Sequence, residues 1–329
     1  MNFHRQLICA AFAAFAGLSS QLAHAQGPDT AAAYPQRPIR MLVPLSPGTT
    51  TDVVARQFAD RLGQRFGQPI IVDNKPGAGG TLAAQAAAKS PADGYTILLV
   101  NSQHAINPAS YPSLPYDTLR DFSGIALVGE APSVIAVPRD LGVKTLAEFV
   151  ALAKSKPGSL NYGSSGIGSQ THLSGAYFAN RTGVTLTHVP YRSGSEVVSD
   201  LVTNRIQSVF VPAAFLFGQI QSGKVRALAV AGTERLATLR DVPTTAEAGV
   251  SGVEFSTWFG FVAPARTPPQ VLAKLAEALK AVAQDPAERE KLLGQGITPR
   301  VMVLGEFDTY IKAEIDRLAP IVKAVASDK

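Results

Sequence analysis

From residue 34 onward, short apolar runs alternate with stretches whose apolar positions recur every three or four residues, the rhythm of an α/β fold. Ile39 to Val43 reads as a strand, Asp52 to Phe66 as a helix, Ile70 to Val72 as a strand, Thr81 to Lys89 as a helix and Tyr95 to Val100 as a strand. Their spacing suits right-handed βαβ crossovers. The middle repeats the rhythm, with strands near Ser133 to Val137, Asn161, Leu186 to His188, Ile206 to Val211 and Val225 to Val230, and helices from Ser169 to Asn180 and Ser195 to Thr203. A further helix opens at Thr145, where Glu148 three residues on completes a capping box that satisfies two backbone N–H groups reciprocally. The last third holds a strand near Phe259 to Val262, helices over Pro269 to Gln284 and Pro286 to Gly294, and a long helix over Glu306 to Val325 that Pro320 is expected to kink or interrupt. Two strand-like segments, Ile125 to Val128 and Phe255 to Val262, separate the middle from its flanks and read as hinge crossings between two lobes.

The N-terminus changes the picture. Arg5 precedes an apolar run from Leu7 to Leu18 and then the small-x-small site Ala23-His24-Ala25, the layout of a secretory signal peptide cut after Ala25. A run of about a dozen residues falls short of the roughly 20 that span a bilayer. Residues 26–33 read as a linker. Removing 25 of 329 residues leaves 304, more than one core usually serves, so two lobes are expected. The single cysteine, Cys9, leaves with the signal, and the mature chain then has neither disulfide nor thiol chemistry. The formal charge of +5 falls to +4 without Arg5, and Lys and Arg form no cluster, which speaks against nucleic acid and mildly favours small anions. Later apolar runs such as Val225 to Ala231 are strand-sized, so the mature chain reads as soluble.

Three turn-rich runs lie between a strand and a helix. Pro44-Leu45-Ser46-Pro47-Gly48-Thr49-Thr50-Thr51-Asp52 brings hydroxyls and orphan N–H groups to a helix N-terminus, which can hold a carboxylate; an ordinary N-cap by Thr51 or Asp52 explains it equally. Asn74 to Thr81 lacks the last glycine of G-x-G-x-x-G, since Leu82 stands there, and a tight turn is the simpler reading. Tyr162 to His172 again offers glycines and hydroxyls, but Ile167 breaks the G-x-S-x-G elbow around Ser165, and His172 three residues after Ser169 fits a helix contact better than a general base. Gly218 to Val225 ends in Val225 where a P-loop needs Ser or Thr, and reads as a helix C-terminal turn. His104, His172 and His188 lack paired metal-ligand spacing, so neither a metal nor a catalytic centre is expected. Arg192, after Tyr191, either clamps a carboxylate or stays exposed, and Ser193 and Ser195 are plausible helix caps.

Taken together these runs resemble the tripartite tricarboxylate transporter substrate-binding family, the Bug-type receptors. The similarity covers nearly the whole mature chain: Tyr34-Pro35 with Arg37-Pro38-Ile39, Pro44 to Arg56, Asn74 to Gly80, Asp93-Gly94-Tyr95, Ala105-Ile106-Asn107-Pro108, Gly163 to His172, Pro190-Tyr191-Arg192, Pro243-Thr244 with Glu247-Ala248-Gly249, Trp258-Phe259-Gly260 and Ala263-Pro264. The resemblance implies a type II periplasmic-binding-protein fold: two lobes, each a mixed, mostly parallel sheet flanked by helices, joined by two hinge strands. One lobe would comprise residues 34–128 plus 255–329, the other 129–254. It implies a periplasmic monomer without cofactor that takes a small organic carboxylate and hands it to inner-membrane transporter subunits; a sensory partner of a membrane kinase and, more remotely, a serine hydrolase are the alternatives. Carried over by position, Ser46, Thr49, Thr50, Thr51, Asp52, Gly79, Ser102 and His104 would bind from one lobe, and Ser164, Ser165, Gly168, Ser169, Thr171 and Tyr191 from the other. Thr49 replaces a usual glycine, and Gln207 and Val211 stand where the family often has Asp, Val211 at a strand end facing the cleft. Loss of that acid removes a partner for a ligand amino group, so dicarboxylates or aromatic acids are expected over amino acids.

Overall fold

Hydrophobic alternation becomes ten strands and ten α-helices in the computed structural model, which describes residues 33–192 and 194–327. The signal peptide with its cut after Ala25, Cys9, residues 26–32 of the linker and Ser193 lie outside the described residues. The described residues before Arg37 carry a cis Tyr34–Pro35 bond; the fold below is that of the unit from Arg37 onward.

Strand β1 (Ile39–Val43) pairs in parallel with β2 (Ile70–Asn74) and β3 (Thr96–Asn101), and helices α1 (Thr50–Phe66) and α2 (Thr81–Ala88) connect them. Helix α3 (Gln103–Ser110) leads to β4 (Phe122–Pro138), whose 17 residues serve two strand groups. Its first part, Phe122 to Pro132, pairs antiparallel with β9 (Ser256–Pro264), which also pairs with β3; from Ser133 on it pairs with β7 (Ser208–Pro212) and β8 (Val225–Val230). The second group continues through β5 (Asn161–Ser164), parallel to β7 and to β6 (Thr187–Pro190), with helices α4 (Leu146–Ser155), α5 (Gln170–Thr182), α6 (Gly194–Val202) and α7 (Phe217–Gln221) around it. The chain rejoins the first group at Phe255, whose N–H donates to Ala231 O (2.8 Å) and whose carbonyl accepts from Ser133 N (2.9 Å). Helices α8 (Pro269–Gln284) and α9 (Pro286–Gly294), strand β10 (Thr298–Val303) against β4, and helix α10 (Gly305–Ser327) complete the first group.

This is the expected mixed α/β architecture, with parallel pairs in the outer βα units and antiparallel pairs where β4 and β9 join them. Among the described residues, apolar side chains fill a core on one face of the first group, around Leu98, Trp258 and Phe307, and others on either side of the second, around Phe149 and Phe178 and around Leu201 and Val209. Several boundaries differ from the sequence reading. Ile125–Val128 and Ser133–Val137 are one continuous strand, and β9 stays within the first group, so the second crossing precedes it. Helix α10 runs through Pro320 unbroken. At α4, Thr145 caps Glu148 N, but the Glu148 carboxylate accepts from Lys144 N (2.6 Å) rather than from Thr145. No helix among the described residues is long and apolar enough to cross a membrane.

Candidate functional site

Helices α1 and α5 both begin at the edge of one cavity of about 500 Å³, to which the two strand groups contribute from opposite sides. Sequence explains both starts. Thr49 adopts extended backbone (φ −73°, ψ 158°) and its Oγ1 accepts from Asp52 N (3.4 Å) while donating to Ser46 O (2.9 Å). Ser169 does the same for α5, accepting from His172 N (3.2 Å). Such caps use one of the orphan donors of a helix start and the first turn uses another, through Val53 N to Thr49 O and Leu173 N to Ser169 O. The N–H groups of Thr50 and Thr51 on α1, and of Gln170 and Thr171 on α5, take no partner in this pattern, and all four residues line the cavity.

Among the described residues, the cavity wall carries no Asp, Glu, Lys, Arg or His side chain. Positive potential there comes from the two helix N-termini, so an anion would be held by oriented N–H groups and hydroxyls rather than by a countercharge. Three lining residues carry buried polar atoms without a protein partner: Gln170 Nε2, Thr257 Oγ1 and Gln295 Oε1. Apolar surface comes from Leu45, Tyr111, Ile167, Phe215 and Phe259.

Of the residues proposed from sequence, Thr49, Thr50, Thr51, Gly79, Ser102, Ser165, Gly168, Ser169 and Thr171 line this cavity. Gly79 sits at φ 62°, where a Cβ would stand 2.9 Å from the Tyr111 hydroxyl. Ser165 and Thr171 are tied together, with Ser165 N and Ser165 Oγ each 3.0 Å from Thr171 Oγ1. The Ser102 hydroxyl is committed to the backbone, donating to Ser256 O (3.1 Å) and accepting from Trp258 N (2.9 Å).

Ser46, Asp52, His104, Ser164 and Tyr191 are placed off the cavity wall. Asp52 is buried and accepts from Gly48 N (2.9 Å), Asn74 Nδ2 (2.9 Å) and Arg56 Nε (3.0 Å). Burial by itself would raise its carboxyl, but the hydrogen bonds from Arg56, Gly48 and Asn74 outweigh it and hold the group below the usual carboxylate range. His104 lies in the core against Tyr116 and Phe122, where burial lowers its pKa to about 4. Tyr191 donates its hydroxyl to Asp200 (2.8 Å); burial and that carboxylate push it up to about 12. Arg192 is exposed. Ser164 and His188 Nε2 lie 2.6 Å apart, yet Ser164 is wholly buried and its hydroxyl is shared with the Gly166 backbone, so no nucleophile faces the cavity there. Val211, expected to face the cleft, packs in the core with Val134 and Val197; the wall on that side begins at Pro212.

The profile of the tripartite tricarboxylate transporter family receptors matches residues 54–326. The chain belongs to that family. Among its relatives, BugT of Bordetella pertussis is 35% identical over 326 residues, 98% of each chain. The adipate-bound Rpa4515 of R. palustris superposes with a TM-score of 0.78 at 33% identity, covering 89% of this chain and 98% of that one. MatC of Rhodopseudomonas palustris, solved with malate, gives 0.72 at 31% identity over 88% and 100%.

Several residues of this receptor's cavity escaped the sequence reading. Asn101, Tyr111, Phe215, Thr257, Phe259 and Gln295 all line it. Only Asn101 carried a local signal, next to Ser102 at a strand end; Phe259 arrives through its register with Asn101, and Gln295 is held by Gln57 (3.2 Å), contacts that no short motif encodes.

Proposed function

We propose that this receptor works in the periplasm, after loss of residues 1–25, as a monomer that captures a small organic carboxylate and passes it to the inner-membrane subunits of a tripartite tricarboxylate-type transporter. The two strand groups act as lobes, and the crossings at Pro132–Ser133 on β4 and at Phe255 let them close on the ligand. One observation carries the reading: two helix N-termini with unpaired N–H groups open onto one cavity whose described wall residues include no charged side chain. The family relation and the adipate and malate complexes of relatives support the ligand class.

The same wall favours plain dicarboxylic or aromatic acids over amino acids. An α-ammonium group desolvated there meets no carboxylate among the described wall residues, and an unpaired buried charge is costly. A thermal-shift screen of refolded mature protein against mono-, di- and tricarboxylates and the acidic amino acids tests both statements. A ligand at about 100 times its Kd should stabilise by about 2.7 kcal/mol. Binding of aspartate or glutamate with no response to plain acids refutes the preference, and silence across all carboxylates refutes the function.

A further inference from the structure

Six large apolar side chains stand exposed among the described residues, and two of them, Ile167 (57%) and Phe215 (49%), line the candidate cavity. Scattered singly over a surface such residues mean little, but two on the wall of one concavity form a patch. Both come from the second group. Ile167 sits in the bend before α5, between Gly166 and Gly168, which hold positive φ (117° and 75°) and bring no side chain to cover it. Phe215 ends the short turn after β7, Ala213–Phe215, and its ring rests on Gly194 at the start of α6, where an added Cβ would stand 3.1 Å from Phe215 Cε1. The first group answers with Leu45, Tyr111 and Phe259, of which Phe259 is buried. Ile167 also borders a cavity along α5, and Phe215 a groove along α6, so each stands at the rim of the wall.

We infer that Ile167 and Phe215 form an apolar jaw that selects the ligand by its hydrocarbon body, so that the acid this receptor takes carries a sizeable apolar ring or chain rather than a short skeleton. The inference rests on the carboxylate reading above and deepens it. Helix N-termini recognise any carboxylate and do not tell one acid from another, so discrimination falls to the wall that meets the remaining carbons. Apolar surface removed from water stabilises in proportion to its area, and a short acid leaves the rim residues wet.

Both jaw residues suit the task. Isoleucine branches at Cβ and is stiff at its first dihedral, and a phenylalanine ring turns on few bonds, so seating a ligand costs little rotamer freedom. The ring is backed by Gly194, which keeps that side of it filled and leaves the rest for the ligand. Ile167 stands three residues before Gln170, whose N–H belongs to the anion-facing start of α5, so one bend supplies both the grip on the acid and part of the apolar surface beside it. A methylene chain and an aromatic ring share the chemistry this jaw recognises.

Calorimetric titration with succinate, adipate and terephthalate, all ionised at neutral pH, tests this; the latter two hold their carboxylates at similar separations and differ in chain against ring. Wild-type protein should bind adipate or terephthalate at least about tenfold more tightly than succinate, and the tighter of the two tells chain from ring. Phe215→Ala and Ile167→Ala should each lose at least about fivefold more affinity for that acid than for succinate. The double comparison is needed because a residue that only helps the groups close would weaken every acid by the same factor. Equal wild-type affinities, a preference for succinate, equal losses across the series, or variants that keep full selectivity overturn the inference. Silence toward every carboxylate of the screen overturns the function itself, a result distinct from binding without selectivity. Both side chains are exposed, so the variants should melt with wild type. Should either fail to fold, the wild-type series decides: the heat-capacity change of binding must be more negative for the preferred acid than for succinate, and equal values sink the proposal.

Discussion

Asp52 lies at the bend that opens α1 yet turns its carboxylate away from the cavity, onto Gly48 N, Asn74 and Arg56. It shapes the bend that brings Thr49, Thr50 and Thr51 to the cavity wall and does not itself line that wall. Asp52→Ala leaves the Gly48 N–H and one of the two Asn74 amide hydrogens without an acceptor, the other keeping Leu45 O, and the loss should be about 2 kcal/mol of stability at neutral pH. Because the folded carboxyl is held below its ordinary value, its contribution is present above the unfolded carboxylate range and vanishes as pH falls through the folded pKa. Urea unfolding of both proteins at neutral pH and well below the carboxylate range checks this: the gap between them should close in acid. A gap that persists assigns the loss to packing. His104 gives the complementary lesson, for its position in the family suggested a ligand contact, while Tyr116 and Phe122 draw its ring into the core.

At the scale of elements, the two helix N-termini carry the electrostatics, and they can be separated from mere helix stability. Thr50→Asp adds a negative charge to the first turn of α1, which the helix dipole welcomes by about 0.3–1 kcal/mol. The same charge stands on the wall of the cavity proposed to take the carboxylate. The variant should therefore melt no lower than wild type while losing more than about tenfold in carboxylate affinity, read by thermal melting and calorimetry on one preparation. Loss of both would mean that Thr50 supports the fold, and loss of neither that α1 is not the anion site. Helices of this kind were legible because their ends are punctuated: Pro269 and Pro286 open α8 and α9, and Gly67 and Gly183 close α1 and α5 in the left-handed region. Helix α3 was not legible, since Pro108 inside it reads as a breaker, and β10 was hidden by Pro299 and by half-buried positions without alternation. The backbone half of the site follows from strand, bend and cap, all local in sequence. The aromatic and amide half, Tyr111, Phe215, Phe259 and Gln295, reaches the cavity through tertiary register, which short-range pattern does not carry.

At the scale of the whole molecule, β4 is the decisive element, because one continuous strand is the antiparallel partner of β9 and β10 in one group and of β7 and β8 in the other. A closing motion then concentrates at the few residues where β4 changes partners, next to the Phe255 bonds to Ala231 and Ser133, and leaves each pairing intact. The same continuity makes unfolding collective. Melting either group strips partners from the strand that the other group needs, so the region from Arg37 onward should unfold as one unit despite its separate cores. The single tryptophan, Trp258, is wholly buried in the first group and reports on that group alone, whereas far-UV circular dichroism sees both. Urea transitions by the two probes should coincide, and bound carboxylate should move both midpoints together, since residues from both groups line its cavity. A fluorescence transition that separates from the dichroism transition, or a ligand shift confined to one probe, would show that β4 joins the groups without coupling them, and closure would then have to be driven by ligand contacts alone.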